Sequence, residues 1–185
     1  MSPKVFILIL IGAFASIPAM AQNVLTGDTR LACEAILCLA TGTQPDECAP
    51  SLQRYFGISH KKMSDTIRDR TAFLKLCPVA EQTPEMASLV NAMGQGAGRC
   101  DAASLNATLT LWNPDSAERT IGNAMPSYCA AYTNHQYTDL NTIQPRYVGV
   151  PERGGHWVEA GKYEQTLAEY EARIAREDAL RATWN

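Results

Sequence analysis

Six cysteines, at positions 33, 38, 48, 77, 100 and 129, constrain this chain more than any other feature. An even number of thiols in a chain that meets an oxidising environment points to disulfides. Structural zinc is the competing use, but its sites usually place two cysteines two to four residues apart. Here the closest two, Cys33 and Cys38, are five positions apart and no second short pair follows. The expected outcome is three bridges and no metal, with Cys33, Cys38, Cys48, Cys77, Cys100 and Cys129 all consumed.

The amino terminus supplies the oxidising environment. Lys4 gives a positive start, Val5–Ile11 is unbroken apolar sequence, Pro18 breaks the helix, and Ala19-Met20-Ala21 offers small residues to a signal peptidase. The apolar run is roughly 11 residues, against the ~20 that span a bilayer. Residues 1–21 therefore read as a signal peptide cleaved after Ala21, and no other segment is apolar enough to cross a membrane. Leu31-Ala32-Cys33 is a poor lipidation site, because it lies well past the signal and follows Thr29 and Arg30.

Fifteen ways of pairing six cysteines are open. If Cys33 and Cys38 share a helix, five residues turn them ~140° apart with ~7.5 Å of rise, beyond the ~7 Å that bonded Cα atoms allow. Cys38 can instead reach Cys48 across the turn at Gly42–Pro45. Cys33 could then meet Cys77 on a neighbouring helix, and Cys100 could meet Cys129. This set is a preference among alternatives that the sequence leaves open.

Helical periodicity dominates the rest. Leu31, Ala32, Ala35, Ile36 and Leu39 form a stripe that Gly42 ends, with Asp28 or Thr29 as the cap. A short helix is expected over about Pro50–Phe56. A third, capped by Ser59, carries Met63, Ile67, Phe73, Leu74 and Cys77 and stops at Pro78. Thr83-Pro84-Glu85 opens a fourth, expected to end near Met93 at Gly94, Gly96 and Gly98. Asp101 starts a segment whose end, Thr108–Trp112, alternates like a strand; lacking an evident partner strand, it reads as helix or extended loop. Another helix spans about Pro126–Thr133, and residues 135–155 read as a long irregular segment. From Ala160 to Trp184 a proline-free stretch places Tyr163, Leu167, Tyr170 and Ile174 on one face of an amphipathic helix. It is expected to pack on its own body, with an apolar face that thins past Ile174. The fold class is all-α: a small disulfide-stapled helical domain, residues 22–158, followed by a long C-terminal amphipathic helix, residues 159–185.

Chemistry is harder to find. The chain has 16 Lys+Arg, 19 Asp+Glu and a formal charge of −3, and loss of Lys4 with the signal makes it one unit more acidic. With no basic run beyond His60-Lys61-Lys62, nucleic acid is not an expected partner. No HExxH, GxSxG or P-loop pattern occurs; the glycines at 94, 96 and 98 lack both the GK[ST] ending and a preceding strand. His60, His135 and His156 form no motif. Asn106-Ala107-Thr108 fits a glycosylation sequon, relevant only in a eukaryotic secretory route. Glu34, an acid among apolar helix residues, is the one candidate general acid. No catalytic, cofactor or metal site is expected.

Two blocks carry a resemblance. LACEAILCL from Leu31, continuing into ECAPSLQRYFGI over Glu47–Ile58, sets three cysteines ahead of a Pro-Ser-Leu-x-Arg-Tyr-Phe run. YVGVPERGGHWVE over Tyr147–Glu159 then leads into the final charged helix. On these the chain resembles the TrbM/KikA family of conjugal transfer proteins over nearly the whole mature sequence. The resemblance implies a plasmid-encoded protein of Gram-negative bacteria, tied to mating-pair formation and type IV secretion. It carries over no catalytic residues. The expected role is a periplasmic accessory protein that contacts protein components of the transfer apparatus. The candidate contact residues are Arg146, Tyr147, Arg153, Trp157, Tyr163, Leu167, Tyr170 and Ile174. The rival readings are a peptidoglycan-modifying enzyme using Glu34, and a periplasmic binding or inhibitor module.

Overall fold

The computed structural model describes residues 25–114 and 118–184; the expected signal peptide and its cleavage point lie outside them. The described elements are helices α1 (Gly27–Ala40), α2 (Ala49–Phe56), α3 (Met63–Leu74), α4 (Pro84–Gly96) and α5 (Ala102–Thr108). Strands β1 (Thr110–Asn113) and β2 (Glu118–Ile121) follow, then α6 (Ser127–Thr133), β3 (Arg146–Val148), β4 (His156–Val158) and α7 (Tyr163–Thr183).

The chain is mainly helical, but the all-α expectation needs correction. Two antiparallel hairpins are present, β1–β2 with Trp112 opposite Arg119, and β3–β4 with Tyr147 opposite Trp157. The strand-like alternation at Thr108–Trp112 does have a partner. It is Glu118–Ile121, a short and mostly polar run that shows no strand pattern of its own. The segment expected to be irregular likewise contains β3, whose partner lies beyond a 3-10 turn at Pro151–Arg153.

The larger core gathers α1, α2, α3, α4 and α6 around Ala35, Leu39, Tyr55, Leu74, Val90 and Met93. Two tyrosines tie its parts together through their hydroxyls. Tyr55 on α2 donates to the Met93 carbonyl on α4 at 3.0 Å, and Tyr132 on α6 donates to the Leu39 carbonyl on α1 at 2.6 Å. Burial pushes the Tyr55 hydroxyl up to about 12, against the opposing pull of Arg70, so it stays a donor. Burial raises Tyr132 as well.

A second, smaller core holds Cys100, Ala102, Leu105, Cys129 and Trp157. Trp157 Nε1 donates to the Gly122 carbonyl at 2.9 Å, and the Tyr147 hydroxyl donates to the Ile121 carbonyl at 2.7 Å. The second hairpin is thus fastened to the end of the first.

The bridges join Cys33 to Cys77, Cys38 to Cys48 and Cys100 to Cys129. Cys33 and Cys38 do share α1 and bond elsewhere. Cys33–Cys77 holds α1 to the exit of α3, and Cys38–Cys48 holds it to the entrance of α2. Cys100–Cys129 ties the turn after α4 to α6.

Three local expectations fail. Neither Asp28 nor Thr29 caps α1, whose N-cap position is Thr26, without a side-chain cap bond. Ser59 does not cap α3: Lys62 occupies the N-cap position without a side-chain cap, and the nearby Thr66 hydroxyl accepts from His60 N–H at 2.9 Å. The glycines do not stop α4 at Met93: the helix runs through Gly94 and has Gly96 as its last residue. Both are buried, and a Cβ would collide with Thr71 at Gly94 and with Tyr132 at Gly96. They are there for close approach of α3 and α6, at the cost of helix propensity.

Candidate functional site

The hairpin β3–β4 and α7 bring the eight candidate contact residues into one region. Arg146 on β3 lays its guanidinium 3.4 Å from the ring centroid of Tyr163 and reaches Glu164 at 3.7 Å. Beyond the strand, Gly149 adopts φ 82° and lies directly beneath the Tyr170 ring, and the Tyr170 hydroxyl accepts from Val150 N–H at 3.2 Å. Only glycine fits this turn, because the positive φ disfavours a side chain and the ring occupies its place.

One turn further along α7, Arg173 and Arg153 interlock. Arg173 donates to the Arg153 carbonyl at 2.6 Å and to Glu177 at 2.6 Å. Arg153 donates to Asp178 at 2.6 and 3.1 Å and to Glu177 at 3.2 Å. The hydrogen bond from Arg173, helped by Arg153, holds Glu177 below the usual carboxylate range, and the Arg153 hydrogen bond does the same for Asp178. No residue of α7 is fully buried. Tyr163, Leu167, Tyr170 and Ile174 are half-buried along the docked face, so polar contacts supply much of what holds this helix.

This geometry corrects part of the contact surface. Trp157 is 5% exposed and belongs to the second core. Tyr147 packs edge-on against it, with ring centroids 5.4 Å apart, and is half-buried. The two aromatics form a cross-strand pair on the inward face of the β3–β4 hairpin. Arg153 is turned inward as the anchor of α7. Among the described residues the most exposed large apolar side chains lie elsewhere: Leu37 on α1, Leu111 and Trp112 on β1, and Leu180 and Trp184 at the end of α7, the last 87% exposed. Leu37 lies within a continuous apolar run and Leu111 and Trp112 close an alternating one, while Leu180 and Trp184 stand apart in a mostly polar stretch, so no one pattern marks them in sequence.

Glu34 accepts from Arg30 at 2.6 Å in an ordinary i,i+4 helix pair. The histidines have separate local partners. His60 Nε2 lies 2.8 Å from Asp69, His135 Nδ1 accepts from Tyr137 N–H, and His156 Nδ1 lies 3.3 Å from the Gly154 carbonyl.

A distinct concavity of about 290 Å³ opens where α1, α4 and α6 meet the segment leading into β3. Phe56, Leu140 and Ile143 line it together with Asp101 and Glu159. The two carboxylates are fixed by α5: Asp101 accepts from the Ser104 N–H at 2.8 Å and hydroxyl at 2.7 Å, and Glu159 accepts from Ala102 N–H at 2.8 Å. Desolvation works against the charge on Asp101, but the bonds from Ser104 and the first-turn backbone prevail and lower its pKa.

Fold and site together define a disulfide-bridged, mainly helical protein with two hairpins and a laterally docked terminal helix. No described helix is long and apolar enough to cross a membrane. The TrbM family model matches residues 24–171, and the chain belongs to this family of conjugal transfer proteins. The match runs from before α1 into α7 and takes in both hairpins and all six cysteines. No curated protein and no solved structure matches the chain.

Proposed function

We propose that this protein is an accessory component of plasmid conjugation that works in the periplasm, serving mating-pair formation and type IV secretion through protein contacts rather than catalysis. The observation that carries the reading is the combination of family membership with three closed disulfides among the described residues. Bridges of this kind persist in oxidising compartments, and the signal-like first 21 residues give a route there. The docked helix α7 and the exposed side chains of β1 offer surface for partners in the transfer apparatus.

The test is a clean deletion complemented by two versions of the gene, one exported and one lacking residues 2–21. Transfer frequency should fall on deletion and recover only with the exported version. Unchanged transfer across mating conditions, or full rescue by the version kept inside the cell, overturns the reading. A zymogram with the exported protein separates it from the peptidoglycan-enzyme reading, since a lytic band lost in Glu34→Gln would favour catalysis.

A further inference from the structure

The concavity at the end of the helical body has a composition that selects its occupant. Its apolar walls include Phe56 and Ile143, which are 37% and 46% exposed although both are large. Among the described residues, Asp101 and Glu159 are the charged members of its lining, and no Lys, Arg or His joins them. The cavity holds about 290 Å³, near the lower end of the ~300–1,000 Å³ typical of small-molecule sites. That size suits one inserted side chain better than a cofactor.

An acidic side chain entering here would meet like charge. A purely apolar one would desolvate two carboxylates without giving them a cation. A side chain with an apolar stem and a cationic end satisfies both halves, the stem against Leu140 and Ile143 and the end against the acids. Guanidinium fits better than ammonium. Its planar fork of donors suits fixed carboxylates, and its face stacks on aromatic rings. The Phe56 ring already accepts one guanidinium, that of Arg70, 5.3 Å from its centroid.

We infer that this concavity is a recognition pocket for an arginine side chain presented by a partner protein. The walls are braced for that task. Gly42 lies against Ile143 and Gly98 against Phe56, each closely enough that a Cβ would push the wall out of place. The place of the partner in a transfer apparatus rests on the proposed function; the chemistry of the pocket does not.

The test uses the full exported protein, isotopically labelled and with its disulfides intact, titrated with Nα-acetyl-arginine methylamide and with the norleucine and glutamate analogues. The arginine probe should give saturable shifts at the amides of Gly42, Gly98 and Thr133, with affinity about tenfold above the norleucine probe, as expected for charge-assisted hydrogen bonds. The double variant Asp101→Asn, Glu159→Gln keeps an acceptor for each α5 amide, so it should fold normally and lose that advantage. Equal binding of the arginine and norleucine probes, arginine binding untouched by the double variant, or no saturable shift with the arginine probe overturns the inference. Loss of transfer on gene deletion is a separate readout, so the pocket can fail while the proposed function stands, and the reverse.

Discussion

Asn106 on α5 completes the backbone hydrogen bonding of Trp157 on β4: its Nδ2 donates to the Trp157 carbonyl and its Oδ1 accepts from the Trp157 N–H, both at 2.8 Å. A primary amide presents an N–H donor and a carbonyl acceptor side by side, as a neighbouring strand would, so this side chain stands in for a third strand. It closes an edge that would otherwise leave buried polar groups unpaired. The same pair sets Trp157 in the second core, from which its indole reaches Gly122.

Replacing Asn106 by Asp removes the donor and sets a carboxylate oxygen against the Trp157 carbonyl. Leaving partly buried groups unsatisfied costs about 1–3 kcal/mol, so Asn106→Asp should lower stability by roughly that amount, with Asn106→Ala toward the low end. Thermal unfolding followed by circular dichroism with disulfides intact checks this, and an unchanged midpoint for both variants would contradict it. Nδ2 is also the atom that a glycan would occupy in the Asn106-Ala107-Thr108 sequon. In the folded chain that nitrogen is held against the Trp157 carbonyl in a partly buried site, so a glycan would have to displace the contact and the folded chain is a poor acceptor.

The bridges should differ in value in the order of the loops they close. Cys33–Cys77 spans 44 residues, Cys100–Cys129 spans 29 and Cys38–Cys48 spans 10. Loop-closure entropy then gives about 4.0, 3.6 and 2.7 kcal/mol respectively. Paired Cys→Ala variants measured by urea unfolding should rank in that order. A reversed order would mean that packing around Cys38 and Cys48, both buried, outweighs the chain entropy.

How far the sequence anticipates this fold depends on whether the signal is local. Thr83 is legible as a cap because Pro84 and Glu85 follow it, and its side chain does accept from Met86 N–H at 3.2 Å. The stripe Leu31–Leu39 is legible because its period matches the helix that buries Ala32, Ala35, Ile36 and Leu39. The hairpins are not, because β2 and β3 are only four and three residues long, β2 is mostly polar, and their strand character comes from their partners. Trp157 misleads because an aromatic in a glycine-rich loop looks the same whether it faces a partner or its own core. Gly94 misleads because local propensity says stop, while the close approach of α3 needs a residue without a Cβ; Gly96, set against α6 for the same reason, is where the helix does end. The concavity is invisible in sequence, since Phe56, Asp101, Ile143 and Glu159 are brought together only by the tertiary fold.

The docking of α7 should depend on pH and salt. Glu177 and Asp178 have folded-state pKa values below their ordinary ones. Groups of this sign stabilise the docked state fully above the ordinary carboxylate values of about 4, and lose that contribution as pH falls through the depressed values. The pairs lie at the surface, so salt screens them too. Amide signals of α7 followed by NMR from neutral to acid pH should loosen in this window while those of α4 hold. In Arg153→Gln the acid-dependent step should shrink, with α7 already less protected at neutral pH. Equal acid behaviour of the two proteins would show that Arg153 is not the anchor.

The apolar half of that docking turns on Gly149. A side chain here needs a φ of 82° that L-residues resist, at a cost of about 1–2 kcal/mol. Its Cβ would also enter the space of the Tyr170 ring, which would have to swing away and release Val150 N–H from its acceptor. Gly149→Ala should therefore detach the middle of α7 while sparing the body held by the three bridges. Hydrogen exchange offers a direct readout: protection should fall at α7 amides around Tyr170 and remain at Leu89, Val90 and Met93. A companion variant, Tyr170→Ala, removes the collision but also the acceptor. Combined with Gly149→Ala, it should cost less than the two single changes added together, because the steric part vanishes once the ring is gone. Strict additivity would locate the strain in the backbone alone.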